Sequence, residues 1–184
     1  HKGENVTMKK VEDYVRSIPD FPEEGIIFRD VTSVLQDADG LQLAIQGVEG
    51  LLEGLEFDAV VGPESRGFIF GVPVAYNLKK AFVPVRKKGK LPCETVSMEY
   101  DLEYGSAVIE MHKDSIKPGQ RVLIVDDVIS TGESLLAIEK LVEEVGGTIV
   151  GRIAVLAEGD AAKRKDIIYL EPLPLFDGNG NPID

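Results

Sequence analysis

After Arg121 the chain runs Val122-Leu123-Ile124-Val125 without a polar break and then meets two adjacent carboxylates, Asp126 and Asp127. A strand with one wet face alternates apolar and polar residues, so an unbroken apolar run belongs to a strand covered on both faces. Such a strand needs helices above and below it. Ser134–Val145 supplies one, with Leu135, Ile138, Leu141, Val142 and Val145 at helical spacing and Gly146-Gly147 to end it. Thr148–Leu156 reads as the next strand. Upstream, Asp58–Gly62 and Ala81–Arg86 are short apolar runs of strand character, Val83 and Val85 marking the second. Between them Gly67–Lys79 suits a mostly buried helix, with Pro73 at a kink or a late start. Strands alternating with helices imply an α/β domain whose central, mostly parallel sheet is flanked by helices through right-handed crossovers.

The rest of the chain is less regular. Residues 40–55 carry apolar side chains near helical spacing, and residues 8–17 are expected to form a short helix that stops near Ile18-Pro19. Pro19 to Gly25 is turn chemistry around Phe21. Between Lys87 and Gly105 no strand–helix rhythm holds, and a segment that long without core pattern is usually functional or mobile. Met8-Lys9-Lys10 has the look of a natural start, so residues 1–7 are set aside as a polar tail and 8–184 are expected to form a single domain.

Composition narrows the chemistry. A net charge of -12 argues against a nucleic-acid groove or an anionic membrane surface. No stretch approaches the roughly 20 apolar residues of a membrane helix, and no secretory pattern opens the chain. The single cysteine, Cys93, cannot form an internal disulfide, which fits a reducing, cytoplasmic setting. His1, His112 and Cys93 make no soft-ligand cluster, so any metal is expected to be a hard cation such as Mg²⁺ held through oxygen.

Three segments carry chemistry. The strand that meets Asp126 and Asp127 leads into a hydroxyl-rich turn, Ser130-Thr131-Gly132-Glu133-Ser134, that opens a helix. Ligands of parallel sheets bind beyond the carboxyl ends of strands, and a helix N-terminus with free N–H groups attracts phosphate. Two acids beside such a cradle would repel phosphate, so they suit sugar hydroxyls; the bland alternative is a capped helix with solvated acids. Glu64-Ser65-Arg66-Gly67 occupies the same edge after another strand, and its arginine is a fork matched to phosphate oxygens. Arg86, Lys87, Lys88 and Lys90 are a cationic cluster in an acidic chain, either a solvated face or a partner for pyrophosphate.

These segments resemble the type I phosphoribosyltransferases. IPDFPEEGIIFRD (18–30), ESRGFIFG (64–71), VRKKGKLP (85–92), LEYG (102–105) and VLIVDD..STG (122–132) match in order, from about Val11 to Phe176. The resemblance is to the branch that joins adenine to 5-phospho-α-D-ribose 1-diphosphate, giving AMP and pyrophosphate. Alternatives are another purine (hypoxanthine, xanthine or guanine) and, further off, a non-catalytic regulator that senses the activated sugar; such a regulator should carry a basic DNA-binding domain before the core. The resemblance implies an N-terminal hood over residues 8–35, with the backbone near Ile27, the face of Phe28 and the side chain of Arg29 reading the base. It implies a pyrophosphate loop at Glu64, Ser65 and Arg66 with a cis peptide before Ser65, and a phosphate loop at Ser130–Ser134. Asp126 and Asp127 would hold ribose, and the loop up to Gly105 would close over substrate. Within it Glu103 and Tyr104 match a Glu-Tyr pair, Glu103 as the acid/base near the purine. Mg²⁺, bound mainly through substrate pyrophosphate and ribose hydroxyls, and a homodimer formed partly by Gly67–Tyr76 are also implied. Cys93 stands where a glycine is common. Glu133 is an unexpected acid at the phosphate loop, expected to point to solvent.

Overall fold

The computed structural model describes residues 9–25, 27–102, 104–173, 175–176 and 182–183. The expected tail at residues 1–7 and the candidate acid/base Glu103 lie outside them. Seven strands form the main sheet: β3 (Ala59–Pro63), β4 (Ala81–Lys87), β5 (Thr95–Leu102), β6 (Gly105–His112), β7 (Arg121–Ile129), β8 (Thr148–Glu158) and β9 (Ile168–Leu173). Their spatial order is β5-β6-β4-β3-β7-β8-β9, with β4, β3, β7, β8 and β9 mutually parallel and the β5–β6 pair antiparallel at one edge. Preceding these, β1 (Arg16–Pro19) and β2 (Ile27–Asp30) form a small antiparallel ribbon.

The unbroken run in β7 is covered on both sides. Leu123 and Val125 join a core that includes Val60, Ile153 and Val155 with Val34 of α1 (Thr32–Leu35), Ala44, Ile45 and Val48 of α2 (Ala38–Leu51) and Phe70 and Val74 of α3 (Arg66–Asn77). Val122 and Ile124 face the other core, with Val61, Ala154, Ile109 and Met111 and the Leu135, Ile138, Leu141 and Val142 stripe of α4 (Glu133–Glu144). Leu123 and Ile124 are fully buried, and truncating either to Ala would cost about 2–5 kcal/mol. At the start of the central strands the Arg121 guanidinium and backbone N–H both bind Asp58, at 3.0 and 2.8 Å. That clamp fixes β7 beside β3 at the end away from the carboxyl edge.

Three expectations change. In place of the helix expected over residues 8–17, the described residues 9–17 hold a single 3-10 turn, Val11–Tyr14, because Arg16–Pro19 is drawn into pairing with Ile27–Asp30. The segment before Gly105 is not irregular throughout: Thr95–Leu102 pairs along its whole length with Gly105–His112. β7 does not stop at its acids but continues to Ile129, so Asp126 pairs with Ala154 inside the ladder.

Candidate active site

The carboxyl ends of β3, β7 and β8 converge, and each delivers polar groups there. From β3 the chain passes through a cis Glu64–Ser65 peptide, as the resemblance implied, into the N-terminus of α3. Arg66 is the first residue of α3, and its Nε lies 2.8 Å from Asp127 Oδ2. Asp127 is buried, its side chain 5% exposed, whereas Arg66 is 43% exposed. The close approach of α3 to β7 depends on Gly67. A β-carbon there would sit 2.6 Å from Pro63 Cδ and 3.3 Å from Asp126 Oδ1.

Asp126 accepts the N–H of Asp127 at 2.8 Å. Burial and the neighbouring Asp127 charge raise the Asp126 carboxyl well above its ordinary range, with Arg66 pulling partly the other way. The acids therefore form one paired unit that shares a single guanidinium.

A second cluster gathers around Glu64. Its carboxylate accepts the Lys87 N–H at 2.6 Å and Lys90 Nζ at 2.8 Å, and Arg86 Nε lies 3.5 Å away. Burial pushes the Glu64 carboxyl upward, but the bonds from Lys90 and the Lys87 backbone outweigh it and hold the group below its usual value. Glu64 thus organises the basic segment. Lys87, Lys88 and Lys90 remain exposed, and the Lys88 N–H is tied to the Val108 carbonyl.

After β7, Ser130 and Thr131 lead to Gly132, the residue that starts α4 with φ +81. Among the described residues no side-chain cap forms at Gly132, so the first-turn N–H groups, which have no intrahelical acceptor, are open toward the loop. Glu133 is exposed, as expected, and borders a cavity of about 490 Å³ with Thr131, Ser134 and Tyr100–Leu102 of β5. The β5–β6 hairpin therefore stands against the phosphate-type loop. Tyr104 is 90% exposed.

A cavity of about 240 Å³ joins Ile27, Phe28 and Arg29 of β2 with Arg66, Ser130, Val128, Glu158 and Leu173. The hood, the α3 terminus and the end of β7 thus meet around one space. Arg29 Nη1 donates to Ser17 Oγ at 2.7 Å across the β1–β2 ribbon, and Phe21 packs edge-on against Phe28 with centroids 5.3 Å apart. Glu158, at the end of β8, was missed in the sequence. Burial raises its carboxyl and Arg29 opposes the rise. The signal was present, since a strand's carboxyl end beside the switch in a parallel sheet is where ligands bind.

A family model described as the phosphoribosyl transferase domain matches residues 38–176. The adenine phosphoribosyltransferase of Lachnoclostridium phytofermentans is 71% identical over 151 residues, covering 82% of this chain and 86% of the relative. The chain belongs to the adenine phosphoribosyltransferase family. Solved members share the fold. The adenine phosphoribosyltransferase of Thermoanaerobacter pseudethanolicus matches with a TM-score of 0.83 at 47% identity, covering 89% of this chain and 98% of that one. That of Saccharomyces cerevisiae, complexed with an imino-altritol bisphosphate and adenine, matches at 0.79 and 36% identity, covering 87% and 96%. Against these adenine phosphoribosyltransferases the mostly parallel sheet and hood read as the family's architecture.

Proposed function

We infer that the chain transfers the phosphoribosyl group of 5-phospho-α-D-ribose 1-diphosphate to adenine, forming AMP and releasing pyrophosphate. The observation that carries this reading is the cavity bounded by Ile27, Phe28, Arg29, Arg66 and Ser130, a base-sized space that reaches Arg66, the ion-pair partner of Asp127.

In the reaction the anomeric C–O bond to pyrophosphate breaks, a C–N bond to the purine forms, and the purine nitrogen gives up its proton. Asp126 and Asp127 would accept ribose hydroxyls, and loop 130–134 would seat the 5′-phosphate. Arg66 with Arg86, Lys87, Lys88 and Lys90 would take the pyrophosphate charge as it develops. Phe28 and Arg29 would hold the base, and Glu103 with Tyr104 would serve at the purine as acid/base and cover. The acids also fit Mg²⁺. They are two hard oxygen donors, fewer than such an ion needs, so substrate oxygens would supply most of its ligands. When bound, it neutralises charge on the leaving pyrophosphate.

A homodimer is part of the proposal, supported by Val72 and Tyr76, 45% and 81% exposed on α3. So is a cytoplasmic setting, supported by the lone exposed thiol of Cys93. The test is steady-state turnover with adenine, hypoxanthine, xanthine and guanine, the nucleotide detected by mass. Adenine should give the highest kcat/KM. A preference for a 6-oxopurine would overturn the adenine assignment, and absence of turnover with every base would overturn the enzyme.

A further inference from the structure

The reading of residues 130–134 as the seat of the 5′-phosphate leaves an electrostatic puzzle. The only formal charge those five residues carry is the carboxylate of Glu133, which opposes an incoming phosphate. A cation reaches the loop from elsewhere. Arg164 follows the 3-10 turn Gly159–Lys163 beyond β8. Asp166 holds it from one side: Arg164 Nε donates to Oδ1 at 2.9 Å and Nη2 to Oδ2 at 2.6 Å. A guanidinium is planar and rigid, so fixing Nε and Nη2 fixes where Nη1 lies. Nη1 lies 2.6 Å from the position a β-carbon on Gly132 would take. A side chain at position 132 would be strained by the φ of +81 and would have to displace this guanidinium from its seat.

Arg164 is well suited to bind. Its side chain is 37% exposed, so an incoming anion can reach it. Glu139, another acid whose charge it feels, is already paired with Arg152. We propose that Arg164 grips the substrate's 5′-phosphate over Gly132, with Asp166 as the residue that positions it. A guanidinium so placed offsets Glu133 and adds a charge-assisted donor to the backbone N–H groups of the α4 terminus.

The inference rests on the proposed phosphate seat, and adenosine separates the two. Binding of AMP, adenosine and pyrophosphate is measured by calorimetry on the full chain and on Arg164→Met, Arg164→Lys and Asp166→Asn. Wild type should bind AMP more tightly than adenosine. Arg164→Met should lose about 10- to 100-fold in AMP affinity while adenosine and pyrophosphate change less than about 2-fold. Arg164→Lys, which keeps the charge without the fork, should recover part of the loss. Asp166→Asn should fall between wild type and Arg164→Met for AMP alone. Unchanged AMP affinity in Arg164→Met, or equal losses for AMP and adenosine in a variant whose melting matches wild type, overturns the role of Arg164. Should Arg164→Met not fold, equal AMP and adenosine losses in the lysine variant overturn it as well. A wild-type chain that binds AMP no better than adenosine overturns the phosphate seat itself, and this inference with it.

Discussion

Arg66→Met keeps the aliphatic stem and removes the cation that Asp127 faces at 2.8 Å. Breaking a fully buried pair costs roughly 3–5 kcal/mol, but Arg66 is 43% exposed, so water recovers part of that. The contact is an ion pair whose geometry falls short of a hydrogen bond on Asp127 Oδ2, and discounting the buried-pair cost for screening gives about 1.5–2 kcal/mol. For a chain of 184 residues this lowers Tm by roughly 3–8 °C. The assay is a double-mutant cycle with Asp127→Asn, read by denaturant unfolding. The cycle should return a coupling of about 1 kcal/mol or more, and additivity within about 0.5 kcal/mol would refute the pair as an energetic unit. The pH dependence is a second check. The Asp126 carboxyl is raised by burial and by Asp127, so the folded chain holds that proton more tightly than the unfolded chain. Its stabilising contribution is complete at low pH and fades as pH climbs from the ordinary carboxylate range to the raised value. Arg66 pulls that value down, so its removal moves the window upward. The deficit of Arg66→Met should be larger at pH 8 than at pH 5, and a deficit that grows on acidification would refute the reasoning.

Cys93 adopts φ +69, a region costly for any residue with a β-carbon, so Cys93→Gly should stabilise by about 1 kcal/mol and raise Tm by roughly 2–4 °C in calorimetry. Hydrogen bonds from the Arg121 side chain and backbone hold Asp58 down to about 2. Its contribution is present above the ordinary carboxylate value and lost as pH falls through about 2, so Asp58→Asn should flatten that acid limb of the stability profile. Glu158→Gln removes a carboxyl that burial penalises. The variant should melt at or above the wild-type temperature at pH 7, while the KM for adenine rises about 3- to 10-fold through the weakened setting of Arg29.

The centre of the fold was legible because β7, β8 and α4 obey local rules. Apolar runs, helical spacing and Gly146-Gly147 each act within a dozen residues. The N-terminal ribbon was not, since Arg16–Pro19 becomes a strand only by meeting Ile27–Asp30, and no local pattern records that partner. The β5 strand is a different kind of miss. Val96, Met98, Tyr100 and Leu102 alternate with Thr95, Ser97, Glu99 and Asp101 at strict period two, and Val96, Met98 and Tyr100 pack on the core. The alternation stands in the residues, but no helix follows it, so it falls outside the strand–helix rhythm that marks the rest of the chain. In the site, the types of residue were readable and their pairings were not. Nothing in the order of residues says that Arg66 faces Asp127, that Glu64 gathers Lys90, or that Arg164 lies over Gly132.

Glu64 has a further consequence for capture kinetics. A carboxylate that already binds Lys90 and the Lys87 N–H, with Arg86 beside it, offsets one of the segment's four side-chain charges, and the acidic chain around the segment opposes the rest at long range. In a chain of net charge -12, polyanions are therefore not drawn in from a distance. An anion must arrive close enough to compete with Glu64 for its cations, an exchange of one partner for another. Association with the activated sugar should then depend only weakly on ionic strength, and selectivity should arise at contact, where a multivalent pyrophosphate can outbid a single carboxylate and a lone monoanion cannot.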